Sequence, residues 1–500
     1  MRANMRNTPM TTTNPIKLIT DDLNKIASLK QIAAVLSWDQ ETMMPTGGIG
    51  PRANQLAVLA GLIHDAWQAT DLQIALADVM DLKTGRPDHD LSTFEKAFLR
   101  ELYPEWKRNT QLPKELVQNL SKITSKAQHQ WQTARKNNDF LTFSPYLKEI
   151  IDLIKEKIKI LGFSDHPYNA LIDEFEPGMT VAQIDGIFTP LKTETLRYLS
   201  DYTPNKLNPI NGPFDYNHQL LYSNEIMTAL GYDTNRGRLD ISTHPFTIDI
   251  HPNDVRITTR INTNYLFESL SSTIHEVGHA LYEQGLDPEW SSTPVGMARS
   301  MGIHESQSRF WEIFIGQSLP FWDGQLSRIH ELFPSTKENT ANDFFQNCNA
   351  VAPHWCRVES DVVTYNMHII LRYECEKALF SDALDVDDLP HVWNAKMKDY
   401  LGVNVESDTK GCLQDVHWSA GLFGYFPSYT LGTLIAAQLN QKLRTVFSSM
   451  DDMIRKHDFI PFKEWLNEHI HFHGSKKITT ELLNDLGISY DPIAFIDSMK

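Results

Sequence analysis

Apolar residues fall at positions 16, 19, 23, 26, 29, 33 and 36 of this 500-residue chain, in steps of three or four that fit one face of a long helix. Asn14 as N-cap and Pro15 at the first helical position supply its start. The same period recurs over 115–139, 145–162, 180–199 and 462–470, between short breakers such as KTGRPDHD and TPNKLNPINGP. A mainly α fold follows. No fixed repeat and no Ser/Gly-rich linker divides the chain, so one large helical domain is expected over residues 15–500, behind a disordered tail of residues 1–14. The stripe from 16 to 36 is expected either to pack within the chain or to form a homodimer contact.

One region departs from the helical period. FTIDI (246–250) and VRITTRI (255–261) are rich in β-branched residues and flank the turn-like His251-Pro252-Asn253-Asp254, which predicts a β-hairpin. Directly after it, Leu266, Leu270, Ile274, Val277 and Leu281 form a helical stripe that ends at Gly285. Residues 275–279 of that helix read His-Glu-Val-Gly-His, the HExxH pattern that sets two histidines on one helix face to hold one metal ion.

A random chain with this histidine content would show the pattern in roughly 5% of cases, so its context decides. The apolar stripe lies about 100° round from the two histidines, which lets one side pack while the other faces a cleft. Gly278 costs about 1 kcal/mol inside a helix, and its presence predicts that a neighbouring element approaches the backbone there. The hairpin offers an edge strand on which an extended peptide can align.

A catalytic site needs a third protein ligand and one open position for water. Tyr282 and Gly285 stand where the metzincin extension requires Gly and His, which excludes that class. Of Glu283, Glu289, Glu305 and Glu312, Glu283 lies about 80° round the same helix from His275; Glu305, in the next helical segment, is the preferred third ligand.

Charge and cysteine content narrow the class further. Lys+Arg 46 against Asp+Glu 63 gives a net charge of −17, which opposes binding to nucleic acid or anionic membrane surfaces. Four scattered cysteines without a CxxC pair, no apolar h-region in MRANMRNTPMTTTNP and no run of eighteen apolar residues together lead to the expectation of a cytoplasmic protein.

Several segments together resemble the carboxypeptidase Taq family of thermostable metallocarboxypeptidases: SWDQETMMPTGG (37–48), HPF (244–246), DVRIT (254–258), HEVGH (275–279), HESQS (304–308), CRVESD (356–361), GCLQDVHW (411–418) and GYFPSYTLG (424–432). The resemblance spans about residues 16 to 500. Cys356, Ser360 and Val277 depart from the usual pattern without removing a polar group that chemistry needs. The resemblance implies a large helical zinc-peptidase fold with a small sheet or hairpin beside the active-site cleft. It implies His275, His279 and Glu305 as ligands of one divalent ion, zinc first and cobalt or manganese also acceptable, with Glu276 as general base for metal-activated water.

Among His417, Tyr425 and Tyr429, all in family motifs, Tyr429 is the first choice as oxyanion donor, His417 a second catalytic candidate and Tyr425 a substrate contact. Arg357 is the family-matched partner for a substrate's terminal carboxylate; residue chemistry alone does not separate it from Arg256, Arg260, Arg299 or Arg309. Its structural alternative is an ion pair with Glu359 or Asp361. His244, Asp254 and Arg256 are placed around the hairpin at the substrate site.

The implied activity is release of single C-terminal amino acids from peptides with a free C-terminus, by a homodimeric enzyme. The competing readings are a metallo-oligopeptidase that cleaves internally and a silent peptide-binding scaffold, against which Glu276 argues. Asp39 and Glu41 read as helix packing and surface charge, and His469, His471 and His473, on a helical period, as residues that diverge rather than share a metal.

Overall fold

The computed structural model describes residues 14–499. The expected tail therefore lies, apart from Asn14, outside the described residues. The contacts group into two compact units, residues 1–110 with 288–297, and residues 111–287 with 298–500.

The first unit is built on α1 (Pro15–Thr42), α2 (Ile49–Trp67), α3 (Thr70–Ala77) and α4 (Thr93–Gln111), with a short ladder of β1 (Met80–Asp81) and β2 (Arg86–Pro87). The Asn14 side chain accepts from Ile16 N at the start of α1, as its sequence predicts. Ile19, Leu23 and Ile26 of the α1 stripe are buried with Trp67, Leu72, Phe98 and Leu102, so this stripe packs within the chain. Asp39 pairs with Arg52 at 2.5 Å and so joins α1 to α2, in keeping with a packing role for the SWDQET segment. The 288–297 segment adds Trp290, packed at a tilt against Phe94 with ring centroids 4.4 Å apart.

The second unit begins with α5 (Lys114–Asn137), α6 (Phe140–Leu161), α7 (Asn169–Ile172), α8 (Val181–Asp201) and α9 (Tyr216–Ala229). A three-stranded sheet follows, of β3 (Leu239–Ile241), β4 (Thr247–His251) and β5 (Asp254–Thr259). β4 and β5 form the expected antiparallel hairpin, and β3 adds in parallel on the other side of β5. Three residues are too few to register as a strand in a periodicity reading, which is why β3 escapes the sequence. β4 is left at an edge.

Next come α10 (Leu266–Gly285), α11 (Met301–Arg309), α12 (Leu319–Leu332), α13 (Ala341–Cys348), α14 (Val362–Phe380), α15 (Leu389–Leu401) and α16 (Phe426–Val446). Four short helices close the chain: α17 (Met450–Arg455), α18 (Ile460–His469), α19 (Thr479–Leu486) and α20 (Pro492–Ser498). α11 runs on as a π-helix over Phe310–Gly316, a form of backbone often found at functional sites.

The stripe Leu266, Leu270, Ile274, Val277 and Leu281 is buried, and the rest of the unit packs around it. α11 lies so close to α10 that a Cβ on Gly278 would sit 2.5 Å from Ser308 Cα and 2.8 Å from Gln307 O. The other side of α11 meets α16, where a Cβ on Gly432 would stand 2.6 Å from Glu305 Cβ. The α11 N-terminus is fixed by the Ser300 side chain on Ile303 N at 3.2 Å and by the buried Glu176, which accepts from Gly302 N at 2.5 Å and from Ser428 Oγ, on α16, at 2.6 Å.

Because the atoms facing Gly278 are backbone, they cannot swing aside. Gly278→Ala should lower unfolding stability by about 1–3 kcal/mol, the usual range for overpacking, and should lower metal uptake by shifting α11. Denaturant unfolding and metal content check this; a variant with unchanged values would show that the two helices are not locked here.

Candidate active site

On α10, His275 and His279 are one helical turn apart with ring centroids 4.9 Å from each other. Glu305 reaches them from α11. Its Oε2 lies 3.9 Å from His275 Nε2 and 3.5 Å from His279 Nε2, and donor atoms of the three residues lie within 4.8 Å of one another. Atoms that are each about 2.1 Å from a tetrahedral ion lie about 3.4 Å apart, so the spacing suits a small divalent cation. Among the described residues, this is the one such group of His, Cys, Asp or Glu side chains.

The remaining imidazole nitrogens are occupied, which leaves both Nε2 atoms open to a metal ion. His275 Nδ1 lies 2.8 Å from Glu312 Oε2. His279 Nδ1 lies 2.5 Å from His304 Nδ1, and His304 Nε2 lies 2.7 Å from Glu283 Oε1. With neutral rings, His275 and His279 each donate their Nδ1–H outward, an arrangement that in metal sites fixes tautomer and ring angle. Glu312 also accepts from Ser271 Oγ at 2.8 Å and from Arg309 Nη1 at 3.2 Å, and Arg309 Nε donates to Glu305 Oε1 at 2.9 Å.

The field around this group favours a cation. Burial disfavours a charged His275, but Glu312 and Glu305 outweigh it and push its pKa up to about 9. Burial pushes His279 down to about 3. Glu305, although buried, is held well below the usual carboxylate range by His275, His279 and Arg309. Glu276 is buried beside the histidines and raised by that burial; its Oε2 accepts from Thr247 Oγ1, on edge strand β4, at 2.6 Å.

A second group, of opposite charge, surrounds Arg357. Its Nε donates to Asp415 Oδ1 at 3.0 Å, its Nη1 to Tyr365 OH at 2.8 Å, and its backbone N–H to Gln414 Oε1 at 3.0 Å. Arg372, fully buried, donates from Nε to Asp415 Oδ2 at 2.7 Å. Two buried guanidinium groups thus share one carboxylate, and one positive charge is left over. The partner is Asp415 rather than Glu359 or Asp361; Asp361 instead caps α14.

The Arg357 Cζ lies 5.2 Å from the centre of the Tyr429 ring, and Tyr429 OH is 3.4 Å from His417 Nε2. Burial, helped by the two arginines against Asp415, pushes His417 down to about 4. Burial raises Tyr429 and Tyr425, with Glu305 adding to both, so their hydroxyls stay protonated donors near the ligand set. Tyr365 joins the two groups: Arg309 stacks on its ring at 4.6 Å while its hydroxyl accepts from Arg357.

Of the residues expected around the hairpin, Asp254 and Arg256 form a bidentate pair at 2.8 Å, on the strand face opposite Val255 and Ile257. His244 is exposed and its carbonyl accepts from Ser242 Oγ. His471 is buried with Nε2 on Gln307, while Phe472 between the two outer histidines is exposed; the tract gathers no ligand set. The sequence offers Glu283 and Glu312 only as ligand candidates and assigns no role to His304, Asp415 or Arg372. Glu312 carried a signal, since seven residues from Glu305 return to the same helix face.

The carboxypeptidase Taq (M32) metallopeptidase family matches residues 18–500. The chain is 38% identical over 470 residues to Carboxypeptidase 1 of Bacillus subtilis, covering 93% of each chain. It is 40% identical over 464 residues to Thermostable carboxypeptidase 1 of Thermus thermophilus, covering 90% of each. The solved structure of Trypanosoma cruzi metallocarboxypeptidase 1 matches at a TM-score of 0.90 and 36% identity, over 97% of this chain and 98% of that one. The helical fold with its small sheet is the one these relatives share, and membership implies a divalent metal ion and peptide substrates. The chain therefore belongs to the carboxypeptidase Taq (M32) metallopeptidase family and is a metallocarboxypeptidase.

Proposed function

We propose that the protein removes single amino acids from the free C-terminus of peptides, with His275, His279 and Glu305 holding one zinc ion. The observation that carries this reading is the pairing of the acidic ligand group with the unbalanced positive charge at Arg357, Arg372 and Asp415. Two imidazoles and a carboxylate are a common catalytic zinc set and also accept cobalt or manganese. When bound, the ion supplies Lewis acidity toward water and the scissile carbonyl.

The chain's own residues do the rest. Glu276, oriented by Thr247, takes a proton from the attacking water and returns it to the leaving amine. Tyr429, with His417 behind it, donates to the oxyanion, and Tyr425 lines the same wall. Arg357 grips the terminal carboxylate; burying that anion without a cation would be costly. The β4 edge, adjoining Glu276 through Thr247, is the strand on which the peptide backbone aligns. Asp254 and Arg256 brace this sheet through their ion pair, and His244 leads into β4.

An internal-cleavage reading has no use for a buried surplus cation. Four free thiols fit a cytoplasmic setting. Exposed Ile32, Val58, Leu62 and Ile74 on the first three helices support a homodimer contact.

His275→Ala, His279→Ala or Glu305→Ala should each lose most bound metal and activity; stoichiometric metal with full activity in any of them would reject the ligand set. Glu276→Gln should keep its metal and lose turnover by on the order of 10²–10⁴-fold; activity within about tenfold of wild type rules out the base.

A proton on His275 competes with the ion. Metal affinity should therefore rise about tenfold per pH unit toward about 9 and then level off, as titration calorimetry would record. A pH-independent affinity would contradict that competition. Arg357→Ala should keep its metal and lose kcat/KM on free-acid peptides by the equivalent of about 2–5 kcal/mol, with Arg357→Lys recovering part. An unchanged kcat/KM would remove Arg357 from the substrate site.

A further inference from the structure

We infer that Arg309 is a positioning residue that restricts Glu305 to a single metal-ligating oxygen and so keeps one coordination position open. A carboxylate beside a metal ion can bind through one oxygen or both. With His275 and His279 already placed, two-oxygen binding by Glu305 would supply four protein atoms and fill the tetrahedral set that a catalytic site must leave incomplete.

The geometry assigns the two oxygens of Glu305 to different partners. Oε2 faces the histidine Nε2 atoms at 3.9 and 3.5 Å, while Oε1 accepts from Arg309 Nε at 2.9 Å. A charge-assisted bond of this kind holds an oxygen more firmly than a neutral one. Arg309 cannot follow Glu305 inward, because it is held on two further sides. Its Nη1 donates to Glu312 Oε2 at 3.2 Å, and its guanidinium stacks on the Tyr365 ring at 4.6 Å. Glu312 is fixed in turn by Ser271 Oγ at 2.8 Å and His275 Nδ1 at 2.8 Å.

The result is a ring of contacts, His275 to Glu312 to Arg309 to Glu305, in which one planar fork ties ligands from α10 and α11 together. Lysine has no second branch with which to span both carboxylates. The positions 305, 309 and 312 share one face of a continuous helical segment, so the device is built from local spacing.

The inference rests on the three-ligand reading, and crystal structures of the zinc-loaded wild type and Arg309→Met test both. In the wild type, Oε2 should bind at about 2.0–2.2 Å while Oε1 keeps its bond to Arg309. In Arg309→Met, both oxygens should bind, with one equivalent of zinc retained and kcat reduced by about 10–100-fold, the range for partners of metal ligands. One-oxygen binding with unchanged kcat per bound zinc in Arg309→Met would overturn the role, leaving Arg309 as packing alone. Two-oxygen binding in the wild type would overturn it without any variant. Zinc found away from His275, His279 and Glu305 would instead sink the ligand set itself, and the inference with it.

Discussion

Everything in the site depends on how closely α11 can lie between α10 and α16. At Gly278 the backbone of one helix meets the backbone of the next, and at Gly432 a third helix closes against the stem of Glu305. Close-packed interiors transmit displacements. A shift at either contact would move Glu305 relative to the two histidines, whose separation is already fixed by one helical turn. The two glycines thus let a carboxylate from a different helix reach the two histidines of HExxH. Glu176, bonded to Gly302 of α11 and Ser428 of α16, fixes the same juncture from below.

Around that juncture the charges separate into two unbalanced groups. Glu276, Glu305 and Glu312 surround the histidines, and Arg309 bonds Glu305 and Glu312, while Arg357 and Arg372 share Asp415. Buried charges that lack a partner are expensive. A divalent cation would relieve the first group and, on the proposed function, a peptide's terminal carboxylate the second. Tyr365, stacked by Arg309 and bonded to Arg357, holds the two groups next to each other. On the proposed function, this couples the metal site that cleaves the peptide bond to the site that recognises where the peptide ends.

Much of this is legible in the sequence because it rests on local spacing. The helical period gives α1 with its Asn14 cap, α10 with its buried stripe, and a close approach at Gly278 that turns out to be to the segment carrying Glu305. The hairpin of β4 and β5 follows from alternation around Pro252. What the sequence hides is pairing across distance. Arg357 has acidic neighbours two and four residues away, yet its partner is Asp415, brought in by a loop that precedes α16. His304 stands beside Glu305 in sequence, but its use in orienting His279 depends on the packing of α11 on α10. The parallel strand β3 is too short to show a period, and the π-helix after Arg309 has no pattern that residue spacing reveals.

The proposed exopeptidase activity rests on the surplus positive charge at Arg357. The most direct measurement incubates the metal-loaded protein with a free-acid peptide and with the same peptide amidated at its C-terminus, and identifies products by mass over time. The account predicts stepwise loss of single residues from the C-terminus of the free acid and negligible cleavage of the amide. Internal fragments from both peptides at similar rates would contradict it.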